Sequence, residues 1–192
     1  MLILALDTSS PAGSLALLRD DAVIATAPAW SGELYSSRMF RQLELLLREH
    51  TLSFNNIDVF AVVVGPGSFT GLRVGLAAVK GWAEVYRKPI APVSALEAVA
   101  AQSSLDVPVL VPVLDARRAQ IYFAIYEPEP NSNGRDLKLA GRECVSTPEE
   151  FFSALDSRFA VSELAIVTPV PELLASAMSR YETTRSISGH LR

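Results

Sequence analysis

Cysteine, histidine and clustered positive charge are what this sequence has least of. One cysteine, Cys144, leaves no internal disulfide framework and no multi-cysteine metal site. Two histidines, His50 and His190, offer zinc or iron almost nothing to bind, and no His-x-x-x-His pair occurs. Lys and Arg number 17 against 21 Asp and Glu, a formal charge of −4, and the basic residues are scattered along the chain. A protein that grips nucleic acid unaided needs them clustered, because each phosphate neutralised requires a nearby cation. No apolar run approaches the roughly 18 residues of a membrane helix. The opening MLILALDTSS has no basic stretch before its apolar run and meets Asp7 early, so no signal peptide is expected. The expectation is a cytoplasmic protein with no metal and no membrane contact.

What remains is globular. Of 192 residues, 49% are apolar and 20% charged, far from the composition of a disordered chain. The length suits one large domain or two small ones. The first 27 residues read as three short strands separated by TSSPAG and a polar turn. From 33 to 50 the period changes: Tyr35, Met39, Leu43, Leu46 and Leu47 recur at helical spacing. Phe40 and Leu45 widen that face, so the helix is expected to touch more than one neighbour. A β-branched run, Val59 to Val64, leads into GPGSFTG and a helix that Pro89 ends. Ile90 to Val93 is a further strand, and Ser94 with Glu97 opens a short helix. The first hundred residues thus read β-β-β-α-β-α-β-α.

The pattern then restarts. ILALDTSSPAGSLALL from Ile3 and VPVLDARRAQIYFAIY from Val111 each place an apolar strand ending in Asp, a polar turn and a second apolar strand. Residues 127–136 are turn-rich and aperiodic. Thr147, Pro148 and Glu150 specify a helix start. A strand over 164–168 and a helix over 171–181 follow, with a tail poor in core residues.

Among the motifs, Gly65, Gly67, Ser68, Thr70, Gly71 and Arg73 belong to the most informative segment, GPGSFTGLR. It joins a strand to a helix and fits either a tight structural turn or an anion-binding or interface loop. It lacks the lysine of a Walker loop, the G-x-G-x-x-G spacing of a dinucleotide fingerprint, and the G-x-S-x-G of a nucleophile elbow. The following helix carries Gly71, Gly75, Ala78 and Gly81. Helical glycine costs about 1 kcal/mol against alanine, so close packing is its reason, on the chain's own sheet or on another chain. Asp7 and Asp115 end strands, where a carboxylate either caps a turn or faces a metal–phosphate complex. Arg117 and Arg118 read as turn residues or as contacts to a phosphate or a partner carboxylate. Serine hydrolysis would need His50 or His190 as base, at a helix end and in the tail.

ALDTSS, GPGSFTGLRVGLAAVKG, PVSALEAVA and PVLDARRAQIYFAIY together resemble the TsaB (YeaZ) family, over residues 1 to about 127. The resemblance implies an α/β chain of the actin, sugar-kinase and heat-shock-chaperone class. It implies two ribonuclease H-like subdomains, 1–105 and 106–192; the second departs from the family pattern, being shorter than usual and without a clear closing strand and helix or a terminal apolar tail. It further implies a non-catalytic partner of a TsaD-like transferase, in threonylcarbamoyladenosine (t6A) modification of the adenosine beside the tRNA anticodon. A TsaE-like ATPase would join the complex, tRNA would be met only there, and ATP or ADP would belong to the assembly, with no cofactor on this chain alone. TsaD-like chains carry a histidine metal motif in the helix corresponding to 33–50, where this sequence has no histidine before His50. Carried over, the partner surface would use Tyr35, Met39, Leu43 and Leu46 with Leu72, Gly75, Leu76 and Val79, and the same helices would support a homodimer. Tyr35 and Ser36 stand where many relatives have His-Ser. The alternative is a nucleotide-binding phosphotransfer or ATP-hydrolysing enzyme using Asp7 and Asp115, although TSSPAG lacks the Asp-x-Gly spacing of such enzymes. A glycoprotease reading would need a metal or a nucleophile–base pair.

Overall fold

Six residues of alternating burial, Leu2–Asp7, form strand β1, with Leu2, Leu4 and Leu6 on the inner face. A computed structural model describes residues 1–20, 22–27, 35–105, 107–129, 136–156, 158–160 and 163–185, with the side chains of 35–37 and 180–185 left aside. β1 runs antiparallel to β2 (Ser14–Arg19), from Leu2 opposite Arg19 to Asp7 opposite Ser14. β2 in turn pairs antiparallel with β3 (Ala22–Thr26). Helix α1 (Tyr35–Glu49) and a 3-10 turn at Phe54–Asn56 lead to β4 (Val59–Gly65), which lies parallel to β1. After α2 (Phe69–Tyr86), β5 (Ile90–Ser94) pairs parallel with β4, giving the sheet order β3-β2-β1-β4-β5. Parallel neighbours require a crossover, and the two helices supply it.

The chain divides between Ala95 and Leu96. That division falls earlier than the 105/106 boundary read from the sequence. Its cause is helix α3 (Ala95–Ala100), whose Leu96 and Ala100 are buried with Leu110, Ala124, Tyr126 and Ala165. The second unit is a six-stranded sheet built on β6 (Val109–Arg117). β7 (Gln120–Phe123) returns antiparallel beside it, and β8 (Tyr126–Pro128), β9 (Leu137–Leu139) and β10 (Cys144–Ser146) are three residues each. Helix α4 (Pro148–Asp156) buries Phe151, Phe152 and Leu155. β11 (Leu164–Val167) lies parallel to β6 and is followed by α5 (Glu172–Arg185), which buries Leu174 and Ala177. The second unit therefore has a closing strand and helix. No helix is long and apolar enough to cross a membrane among the described residues.

Candidate functional site

The turn after β1 and the start of α2 meet face to face in the first unit. Asp7 Oδ1 accepts the Ser9 amide at 2.7 Å, which fixes the turn. The Ser9 carbonyl then accepts the Ser68 amide at 2.7 Å, bringing GPGSFTG against it. Ser68 is the N-cap of α2, its hydroxyl accepting from the Gly71 amide at 3.3 Å. A Cβ at Gly67 would stand 2.6 Å from both the Cβ and the carbonyl oxygen of Ser9. A Cβ at Gly71 would overlap the Thr8 carbonyl oxygen, and one at Gly75 the Thr8 hydroxyl. Gly67, Gly71 and Gly75 thus form a stripe along which α2 approaches the backbone after β1. Gly81 is different: a side chain there meets nothing within 4 Å.

This packing corrects part of the expected partner surface. Gly75 and Val79 are buried against their own unit, and so are Met39, Leu43 and Leu46. They cannot meet a partner while the unit stays folded, because they fill its core. Leu72 and Leu76 are half-buried, and Leu76 packs on the same core. The side chain of Tyr35 lies outside the described residues. Arg38 explains how α1 is seated: only 3% exposed, it donates from Nη2 to the Ala12 carbonyl in the β1–β2 turn. Sequence reasoning missed Arg38 and Thr8, and spacing contains no sign that an arginine would turn inward to a turn carbonyl.

Both helices also carry apolar side chains that the core leaves exposed. Phe40 is 53% exposed on α1 and Leu45 39%. On α2, Phe69 is 68% exposed, with the Arg73 guanidinium carbon 4.0 Å above its ring; Thr70 beside it is also exposed. Phe40 meets Trp82 edge-on at 6.2 Å between ring centroids. Trp82 also lies 5.2 Å from Phe54, which stacks on Tyr86 at 5.1 Å. These rings, with Glu44 and Arg48 at the rim, line a groove of about 490 Å³. Of the two residues read from the sequence as widening the apolar face, Phe40 lines this groove and Leu45 does not.

Asp7 and Asp115 are each committed to a turn. Asp115 Oδ1 accepts the Arg117 amide at 2.7 Å, repeating Asp7's contact with the residue two positions on. Its other oxygen pairs with Arg117 Nη1 at 3.1 Å. The backbone of Arg117, Arg118 and Ala119 is left-handed throughout that turn. Among the described residues, no group of three or more His, Cys, Asp or Glu is placed to hold a metal ion.

Comparison with known proteins follows the same lines. The TsaD family model, described as tRNA N6-adenosine threonylcarbamoyltransferase, matches residues 26–182. TsaB of Bacillus subtilis is 36% identical over 127 residues, which is 66% of this chain and 56% of that protein. TsaB of Escherichia coli is 32% identical over 133 residues, 68% of this chain and 57% of that protein. The chain spans just over half the length of these curated relatives. YeaZ from Pseudomonas aeruginosa shares the fold at a TM-score of 0.69 and 24% identity, over 99% of both chains. The two α/β units share their fold with YeaZ and, at a TM-score of 0.54 and 9% identity, with the (R)-2-hydroxyglutaryl-CoA dehydratase component A of Acidaminococcus fermentans. Within the family that the TsaD model describes, the chain belongs with the TsaB (YeaZ) proteins.

Proposed function

We propose that this chain takes part in tRNA threonylcarbamoyladenosine biosynthesis as a non-catalytic partner of a TsaD-like transferase. The names of its relatives support the pathway. One observation carries the partner role: α1 and α2 hold apolar side chains, Phe40, Leu45 and Phe69, that the unit's own core leaves exposed. Covering such surface yields about 25 cal/mol per Å² of apolar area, so a matching helical face would drive association. The bound partner is stabilised by linkage in whichever conformation this chain prefers. The TsaE-like ATPase and tRNA join the assembly, and any ATP or ADP sits there. A homodimer through the same face competes with the heterodimer by mass action.

The test is light-scattering size exclusion of this chain in the cytoplasmic buffer range, alone and mixed with the TsaD-like protein of the same genome. A one-to-one heterodimer lost in Phe40→Glu supports the reading. Absence of any complex at about 10 μM, well above a functional affinity, rejects a direct partnership. The phosphotransfer alternative has no observation in its favour, since Asp7 and Asp115 each hold a turn amide.

A further inference from the structure

A cavity of about 320 Å³ opens in the second unit, on the side where α4 faces the ends of β7 and β10. Phe123, Ile125 and Leu155 supply apolar wall, and the small side chains of Ala140 and Ala154 leave the space open. Gly141 at its lining has φ 108°, and a Cβ there would meet nothing within 4 Å. Two cations belong to the same lining. Arg142 and Arg158 are both exposed, and the Arg158 guanidinium carbon lies 5.5 Å from the centroid of the Phe159 ring. Neither forms an ion pair among the described residues. Cys144, the one thiol of the chain, completes the wall, its S–H donating to the Arg142 carbonyl at 3.5 Å.

Water in such a space finds few hydrogen-bond partners, so a small apolar group displaces it favourably. Two guanidinium groups with no acid partner among the described residues favour an anionic head, and their planar forks match the two oxygens of a carboxylate. The volume lies at the low end of the roughly 300–1,000 Å³ typical of small-molecule sites, which suits a short tail. We propose that this cavity binds a small amphipathic carboxylate, its tail against Phe123, Ile125 and Leu155 and its head at Arg142 and Arg158. This site is independent of the partner role, since it uses no residue of α1 or α2.

Cys144 reports occupancy directly, because it is the only thiol. The experiment follows alkylation of the full chain by iodoacetamide as octanoate is added. Saturable slowing of about fivefold or more is expected, with half-effect below about 1 mM. In the Arg142→Gln/Arg158→Gln variant the half-effect should rise at least about tenfold, since charge-assisted contacts are lost. Octanamide, which keeps the tail and lacks the charge, should protect correspondingly less. Ala154→Phe should abolish protection while Cys144 still reacts. No protection by octanoate at about 5 mM overturns the site. Equal protection by octanamide, or tighter protection by octyl phosphate, overturns the carboxylate assignment. These two comparisons use the unaltered chain and decide the matter even if a variant fails to fold.

Discussion

Thr8 occupies the space that a side chain at position 75 would need. Its Cγ2 lies 3.2 Å, and its Cβ 3.3 Å, from where a Cβ on Gly75 would stand, and its hydroxyl lies closer still. Thr8 is itself 3% exposed, so neither partner can swing into solvent. The second glycine of the helix is therefore a local packing requirement, whatever the outer face of α2 contacts.

Gly75→Ala should lower stability by about 1–3 kcal/mol, as overpacking of a filled interior does. Gly75→Leu should prevent folding of the first unit. Thr8→Ala in the Gly75→Ala background should restore part of the loss, because the two sites share one volume. Urea unfolding of the double-mutant cycle measures this, and strictly additive losses would contradict the packing described.

Phe40→Glu should leave thermal stability within about 0.5 kcal/mol of the parent, the range of surface substitutions. Met39→Glu, one position away and fully buried, should unfold the unit. Binding to the TsaD-like protein should weaken at least about tenfold in Phe40→Glu, the loss of one anchoring ring. Unchanged binding in that variant would move the contact surface elsewhere.

Helix α4 begins with a reciprocal cap. The Glu150 amide donates to Thr147 Oγ1 at 3.3 Å, and the Thr147 amide to Glu150 Oε2 at 3.1 Å. Thr147→Ala should cost about 1 kcal/mol, and Thr147→Ser should recover most of it. Chemical denaturation followed by far-UV circular dichroism gives both numbers.

Surface charge sets a shallow pH dependence. The Met1 amine lies 2.5 Å from Asp20 Oδ1. That hydrogen bond, with the attraction between the charges, holds the amine above its ordinary value and the carboxyl below its own. The carboxyl's contribution is present above an unfolded value of about 3.9 and fades as pH falls through the lower folded value. The amine's contribution is present below about 8 and fades as pH rises through its higher folded value. Both groups are fully exposed, so Asp20→Asn should flatten a small slope at each end of the profile and leave the midrange nearly unchanged. A larger midrange loss would mean that Asp20 does more than pair with the amine.

Much of the architecture was legible before any coordinates. The strand and helix order of the first unit follows from the change of period after residue 33 and from the β-branched run at Val59 to Val64. The start of α4 follows from Thr147, Pro148 and Glu150. The three-residue strands β8, β9 and β10 are too short for alternation to appear. The orientation of α1 was not legible either. Met39 and Phe40 are both apolar, and only the position of the β1–β2 turn, gripped by Arg38, decides which one faces inward. The same limit applies to α2, where a glycine stripe signals close approach without naming the neighbour.

Asp7 and Asp115 each close the turn behind their strand through the amide two residues ahead, at the same 2.7 Å. The same device thus recurs in each half of the chain. Turn closure is by itself a sufficient structural reason for an aspartate in this place, with no chemistry at the strand end required. A strand-end aspartate of this kind is therefore evidence of a closed turn, and catalytic competence has to be judged from other residues.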